Sequence, residues 1–494
     1  MEARPVIVWF RQDLRIDDHA ALTAAASAGT AVIPVYIWSP GEAGAWASGA
    51  ASRWWLRRSL SALSDELDRL GSPLIVRSGD ALDALLDIQR ATGADRVVWN
   101  ELYEPAARRR DDLVKQELAA AGVAVETFQA NLLFEPQAIR TKSGGPFKVF
   151  TPFWEACLAV RDRVGPVDAP GQLKAPEARL VTTPLESLEL GGDDGSSGMS
   201  DTWTPGARGA AQRLEAFAAG PWSSYREDRD RPDIEGVSRL SPHLHFGEIS
   251  VRRVWEVVSE RIRKTRAKAA RKNGDAYLRQ LGWREFAHHL LFHFPHTTDK
   301  PLRPEFEDFE WRVDRKGLDA WKQGRTGYPI VDAGMRELHH TGWIHNRVRL
   351  VVASFLVKDL LIHWREGAKW FWQTLVDADL ANNTLGWQWT AGCGADAAPF
   401  FRIFNPVLQG KKFDPDGTYV RRWVPELETL DAKWIHKPWE APEDELSKAG
   451  IRLGDDYPKP IVDHGFARQR ALEALERTKK PEQRKAKRKP KGRK

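Results

Sequence analysis

Cysteine is nearly absent: Cys157 and Cys393 stand far apart among 494 residues. That excludes a disulfide framework and a cysteine-rich zinc site, and it suits a reducing, cytoplasmic compartment. No apolar run approaches the roughly 18 residues of a membrane span. The best, Leu350 to Val357, is closed by Arg349 and Lys358. The chain passes from Met1–Arg4 straight into Val-Ile-Val-Trp-Phe, without the layout of a signal peptide. No Gly-x-Gly-x-x-Gly follows that run. Phe10-Arg11-Gln12-Asp13-Leu14-Arg15 stands there instead, which argues against a nicotinamide site.

What is present is ample polar-apolar contrast, with 42% hydrophobic and 29% charged residues, the composition of a globular protein. The length exceeds what one core supports, so at least two domains are expected. Net charge is +6, from 74 Lys and Arg against 68 Asp and Glu. Ten basic residues and one acid lie in Lys479–Lys494, so this tail carries +9 and the remainder is near −3. Such a tail is expected to be disordered and able to touch any polyanion, or simply to aid solubility. Tryptophan is abundant, 22 against 7 Tyr. Heavy core use, stacking on sugars or bases, and a redox role all remain open on composition alone.

Short β-branched runs at Val6–Phe10, Ala31–Trp38, Pro73–Arg77 and Arg96–Trp99 alternate with helical patterns at Ala51–Leu70, Ala81–Ala91 and Pro105–Ala121. That alternation predicts a doubly wound parallel sheet. From about 164 to 208 the chain is rich in Pro and Gly and reads as a connector without elements. Beyond it helical periods dominate, at Arg252–Arg263, Asp275–His293, Gly334–His340, Val348–His363 and Trp370–Leu380. An all-α second domain follows.

Three polar-aromatic clusters lie in that helical half. Gly236 to Pro242 offers small hydroxyls at a helix start, suited to a diphosphate or to an ordinary cap. Thr341 to Arg349 sets two arginines ahead of an apolar helix, so at least one needs an anion. Asp377 to Trp389 holds two carboxylates, of which Asp377 reads as the partner of an arginine such as Arg349. No metal is expected, because neither these acids nor the His pairs 288/289 and 339/340 have ligand spacing.

Longer motifs carry a resemblance. Trp-Phe-Arg-Gln-Asp-Leu-Arg at 9–15, Gly-Trp-Arg-Glu-Phe at 282–286 and Thr-Gly-Tyr-Pro-Ile-Val-Asp-Ala at 326–333 are similar to motifs of the DNA photolyase and cryptochrome family. So are Thr-Gly-Trp-Ile-His-Asn-Arg at 341–347, Asp-Ala-Asp-Leu at 377–380 and Asp-Ala-Ala-Pro-Phe-Phe-Arg-Ile-Phe-Asn-Pro at 396–406. Ser-Arg-Trp-Trp-Leu at 52–56 and Gly-Cys-Gly-Ala-Asp at 392–396 look most like class III, or class I, bacterial photolyases. The resemblance implies an α/β antenna domain over 1–135, a connector over 136–208, a helical FAD-binding catalytic domain over 209–476 and a basic tail over 477–494.

It also implies site residues. Tyr225, Ser238, Leu240, Ser241, Asn346, Arg349, Asp377 and Asp379 would hold FAD, with Asn383 facing flavin N5. Trp387, Trp364 and Trp311 would relay electrons, and Gln280 and Trp283 would meet the lesion. Arg229, Arg284, Arg347 and Arg402 would face DNA phosphates. The implied activity is light-driven splitting of pyrimidine dimers in UV-damaged DNA, by a monomer at the bacterial nucleoid. A cryptochrome-type photoreceptor and a (6-4) photolyase are the alternatives.

Three departures stand out. Gln280 replaces the acid expected ahead of Trp283, and Leu350 replaces the Met that many cyclobutane photolyases carry after Arg349. Ala106 and Ala107 replace the Asn and Glu that one folate-binding branch uses. A second, antenna chromophore is expected, as methenyltetrahydrofolate or a deazaflavin.

Overall fold

The first run of the chain, β1 (Val6–Phe10), becomes the centre of a five-stranded parallel sheet ordered β3-β2-β1-β4-β5. Its partners are β2 (Val32–Trp38) and β4 (Arg96–Asn100), flanked by β3 (Ile75–Ser78) and β5 (Ala124–Phe128). All five residues of β1 are buried, as a strand covered on both faces requires. Ile7, Trp9, Ile33, Val35, Ile37, Val97 and Trp99 share one face with α3 (Ala81–Thr92) and α4 (Pro105–Ala120). The computed structural model describes residues 4–129, 131–160, 165–191, 197–397 and 401–478. The basic tail over 477–494 therefore lies almost wholly outside the described residues.

Two elements of this layer escape the sequence patterns. Helix α1 (Ala20–Ser27) is so rich in alanine that it shows little polar-apolar period; the His19 ring caps it, accepting from the Leu22 N–H at 3.0 Å. Strand β5 is a half-exposed edge with only a weak apolar alternation. Helix α2 (Ala50–Leu70) runs as expected.

The Pro-rich connector is stitched along this layer. Val32 N–H donates to Lys174 O at 2.8 Å, and Thr183 N–H to Val76 O at 2.9 Å. Leu173 and Leu190 are buried. The expectation that this stretch holds no element is corrected by a short helix at Ser197–Thr202.

Where a nicotinamide enzyme would open a crevice, between the carboxyl ends of β1 and β4, this chain closes it with charge. Arg11 pairs with Asp111 at 2.9 Å, and Asp13 accepts from Asn100 Nδ2 at 2.7 Å and faces His19 Nε2 at 3.0 Å. Burial alone would raise the Asp13 carboxyl, but His19 and Arg11 hold it down at about 2.

By contacts the described chain forms two compact units. The first comprises Met1–Asp228, Glu235–Pro295 and Trp372–Asn382; the second comprises Arg229–Ile234, His296–Phe371 and Asn383–Lys494. Beyond Phe128 the described elements are all helical.

Two expected helices are interrupted. The pattern read as Val348–His363 is helical only over Asn346–Ser354, then widens into a π turn at Phe355–Asp359 and stops where Leu361 takes a φ of 56°. The pattern read as Trp370–Leu380 is two helices, Trp364–Thr374 and Leu380–Ala391, parted at 375–379. The hydrophobic period runs through that break. The Asp379 carboxylate stops it by capping the second helix, accepting from Asn382 N–H at 2.7 Å.

Candidate active site

In the first unit, Glu248 anchors the hydroxyl cluster. Its buried carboxylate accepts from Trp55 Nε1 at 2.8 Å and Gly206 N–H at 2.7 Å, and it also bonds Ser59 and His243. The segment that ends at Glu248 is thereby bolted to α2. Ser238 accepts from the Tyr277 hydroxyl at 3.1 Å, and the Tyr277 ring meets Tyr225 edge-on at 5.2 Å. Leu240 is buried and Ser241 is exposed at the start of a helix of only five residues, Ser241–His245. Arg239 holds a φ of 51°, which turns the chain tightly beside Ser238. Gly236 is obligatory, since a Cβ there would stand 2.8 Å from Asp228 O.

Asp379 is the electrostatic centre of this unit. Its carboxylate faces His288 Nε2 at 3.4 Å and His245 Nδ1 at 3.9 Å. Burial pushes the carboxyl up, yet the two histidines hold it well below its ordinary range. Burial likewise works against the His288 cation, but Asp379 wins and raises it. Glu104 is shifted the other way, upward, by burial and by the Asp379 charge. The unit thus fixes one carboxylate as an ionised acceptor and holds a second toward its neutral form.

A pH dependence follows. The depressed Asp379 contributes stability above its unfolded value near 4, and the raised His288 contributes below its unfolded value near 6.5. The pair stabilises fully between roughly pH 4 and 6.5. Above that window its contribution fades as pH climbs through the raised His288 value. Urea midpoints should therefore decline above about pH 6.5, and His288→Asn should remove that decline. An unchanged slope in the variant would refute the pairing.

The Gly-Trp-Arg-Glu-Phe motif at 282–286 divides by role. A Cβ at Gly282 would sit 2.5 Å from the Trp154 ring, so only glycine lets that indole pack there. Arg284 donates to Asn131 O at 2.6 Å and its side chain is 12% exposed. Glu285, raised by burial, accepts from Leu133 and Phe134 N–H at 2.9 and 3.1 Å. Trp283 is half-buried, stacked on Phe150 with centroids 3.7 Å apart and planes 8° apart. Gln280 is half-buried; its carboxamide makes one long bond, to Ala276 O at 3.4 Å.

The second unit carries the tryptophans. Trp364 and Trp387 are each 2% exposed, whereas Trp311 is half-exposed. His363 lies between the outer two, 5.1 Å from the Trp311 ring and 5.6 Å from that of Trp364. Burial depresses this imidazole to about 4, so it is neutral at ordinary pH and puts no positive charge beside the indoles. The segment bearing Trp311 is pinned by Arg312 N–H donating to Leu361 O at 2.8 Å, beside the turn at Leu361. A Cβ at Gly367 would stand 2.0 Å from the Trp387 ring, so the helix bearing Trp364 reaches Trp387 only because glycine lies there. Asn383, one turn from Trp387, donates to Ala368 O at 3.1 Å and so leaves its carboxamide oxygen as an uncharged acceptor.

Asp377 is buried, and its carbonyl accepts from Asp379 N–H at 2.8 Å. Arg349 donates to Ile344 O at 2.8 Å, and Asn346 is exposed on the first turn of its helix. Arg347 pairs with Asp230 at 2.9 Å, and Arg229 approaches the same carboxylate at 3.8 Å. Arg402 is exposed and lies over the Trp389 ring at 5.1 Å.

Sequence reasoning missed His245, His288 and Glu104 around Asp379, and His363 between two indoles. The first three are far apart in sequence and no spacing signals them. His363 could have been found, since it directly precedes Trp364.

Residues 6–173 match the DNA photolyase family and residues 277–477 match the FAD binding domain of DNA photolyase. A deoxyribodipyrimidine photo-lyase of Agrobacterium fabrum is 50% identical over 482 residues, covering 97% of this chain and 99% of that one. Cryptochrome-1 of Arabidopsis thaliana is 44% identical over 478 residues, covering 95% of this chain and 70% of that one. A class III photolyase structure from Agrobacterium tumefaciens superposes with a TM-score of 0.93 at 50% identity, covering 97% of this chain and 98% of that one.

Proposed function

The chain belongs to the DNA photolyase family, and from that premise we propose that it is a deoxyribodipyrimidine photo-lyase, a light-driven enzyme that splits pyrimidine dimers in UV-damaged DNA. The observation that carries the reading furthest is the graded exposure of three indoles in the second unit. Two buried tryptophans and a half-exposed third, with a neutral His363 against the outer two, suit inward passage of an electron.

The donor set fits FAD. An ionised, buried Asp379 is an acceptor made for a ring N–H, and the hydroxyls of Ser238 and Ser241 flank a tight backbone turn. Tyr225, Ser238, Leu240, Ser241, Asn346, Arg349, Asp377, Asp379 and Asn383 would hold it, within a catalytic domain at 209–476. When bound and reduced, FAD supplies light-driven one-electron transfer.

The chain's own residues do the rest. Asn383 offers an acceptor without adding charge. Trp283 gives a flipped base a rigid aromatic face, and unstacking is least costly for a damaged pair. Gln280 can donate through its NH2 but cannot deliver a proton. Arg229, Arg284, Arg347 and Arg402 are the arginines that would meet phosphates, Arg284 with part of its fork also on backbone carbonyls. A second chromophore in the antenna domain, a monomeric state and a nucleoid location belong to the same reading.

Cyclobutane dimers are the proposed lesion. Gln280 and the likeness to a plant cryptochrome favour the second reading, a photoreceptor without repair. Illumination of reduced protein with oligonucleotides bearing cyclobutane or (6-4) lesions separates the cases. Loss of cyclobutane dimers is expected, and Gln280→Glu should raise the yield per photon by restoring a proton donor. Loss of (6-4) products alone would overturn the lesion assignment, and loss of neither would favour the photoreceptor.

A further inference from the structure

The Trp283 face is backed by a stack that ends in a cation. Phe150, at the start of α5 (Phe150–Val160), is 1% exposed and lies under Trp283 at 3.7 Å. The Arg279 guanidinium stands over the same phenyl ring at 4.5 Å. Trp154 continues the stack, its ring 6.4 Å from Phe150 and 11° from parallel. Arg279 and Trp283 are one turn apart on the helix Lys268–His293, so they share a face. The ring contact restrains the guanidinium, and one hydrogen bond, Nη2 to Thr151 Oγ1 at 3.2 Å, steers it.

A guanidinium has five N–H donors, and that bond uses one. Its neighbour Arg284 places two of its donors on Asn131 O and Leu244 O. Arg279 is half-exposed, with Gln280 next in sequence. We propose that Arg279 is a phosphate-binding residue, preset by Phe150 so that it grips the DNA backbone beside the base that stacks on Trp283. The inference rests on the repair reading above. A phosphate accepts two parallel N–H bonds from a guanidinium, and a planar group already held on a ring loses little freedom when it makes them. The contact orients the strand and carries no base information.

The test is a salt titration of binding to two duplex oligonucleotides, one with a cyclobutane thymine dimer and one intact. Arg279→Ala should lower the slope of log affinity against log salt by about 0.9, one phosphate's share, and weaken both duplexes by a similar factor. Arg279→Lys should restore the slope, since the charge returns without the planar fork. The exposed Lys174→Ala, an equal loss of charge in the first unit, should change neither quantity. An unchanged slope in Arg279→Ala overturns the proposal. So does a loss confined to the damaged duplex, which would make Arg279 a lesion contact. A wild-type protein that binds neither duplex removes the repair reading itself, whatever the variants do.

Discussion

Replacing Trp387 with Phe should slow photoreduction of bound, oxidised FAD by more than about tenfold, a barrier increase above roughly 1.4 kcal/mol. Repair by chemically reduced protein should stay near the wild-type level. Phenylalanine keeps an aromatic ring against Phe371, 5.0 Å away, and Trp321, 6.2 Å away, but it is much harder to oxidise than indole. Shrinking a 2%-exposed indole leaves a gap costing about 1–2 kcal/mol of stability, which a protein of this size tolerates. The two rates are measured on one preparation, by flavin absorbance under illumination and by lesion loss after dithionite reduction. A parallel fall in both would assign Trp387 to packing or to the lesion instead.

The second large effect belongs to Asp379. Asp379→Asn should weaken FAD binding by roughly thirtyfold, or about 2 kcal/mol, the usual worth of a hydrogen bond to a charged group. The amide is nearly isosteric, yet it presents an NH2 where an acceptor is needed. His288 should lose the charge that raises it, so its imidazole should titrate below its wild-type value. Flavin retained through purification reports the first effect, and NMR titration of the imidazole reports the second. Full flavin occupancy together with an unmoved His288 would separate Asp379 from both roles.

Much of this architecture is legible in the sequence, because strands buried on both faces must be continuous apolar runs. Val6–Phe10 and Arg96–Asn100 could hardly be read otherwise. Edges and caps are harder. Strand β5 packs too little to carry a pattern, and the break at 375–379 interrupts a hydrophobic period that the residues themselves continue. Asp379 is the instructive case. The local series Asp379-Leu380-Ala381-Asn382 is a capping sequence, but the hydrophobic period on either side outweighed it. Its charged role depends on His245 and His288, brought in from over 90 residues away, and no local spacing encodes that.

The arginines teach the same lesson. Arg284 and Arg279 lie five residues apart on one helix, and the motif pointed to the former. The fold gives Arg284 two backbone carbonyls, whereas Arg279 rests on an aromatic ring with one hydroxyl partner. Only the helix phase and the neighbouring Phe150, 129 residues earlier, distinguish them.

The central claim is that light and reduced flavin together drive dimer splitting on this chain. The most direct measurement counts cyclobutane dimers in a defined oligonucleotide after incubation with reduced protein under blue light, against the same mixture in the dark and against protein without flavin. The account predicts dimer loss only in the illuminated, reduced sample, with intact pyrimidines recovered. Equal dimer counts in all three samples, with FAD bound and reduced throughout, would contradict it.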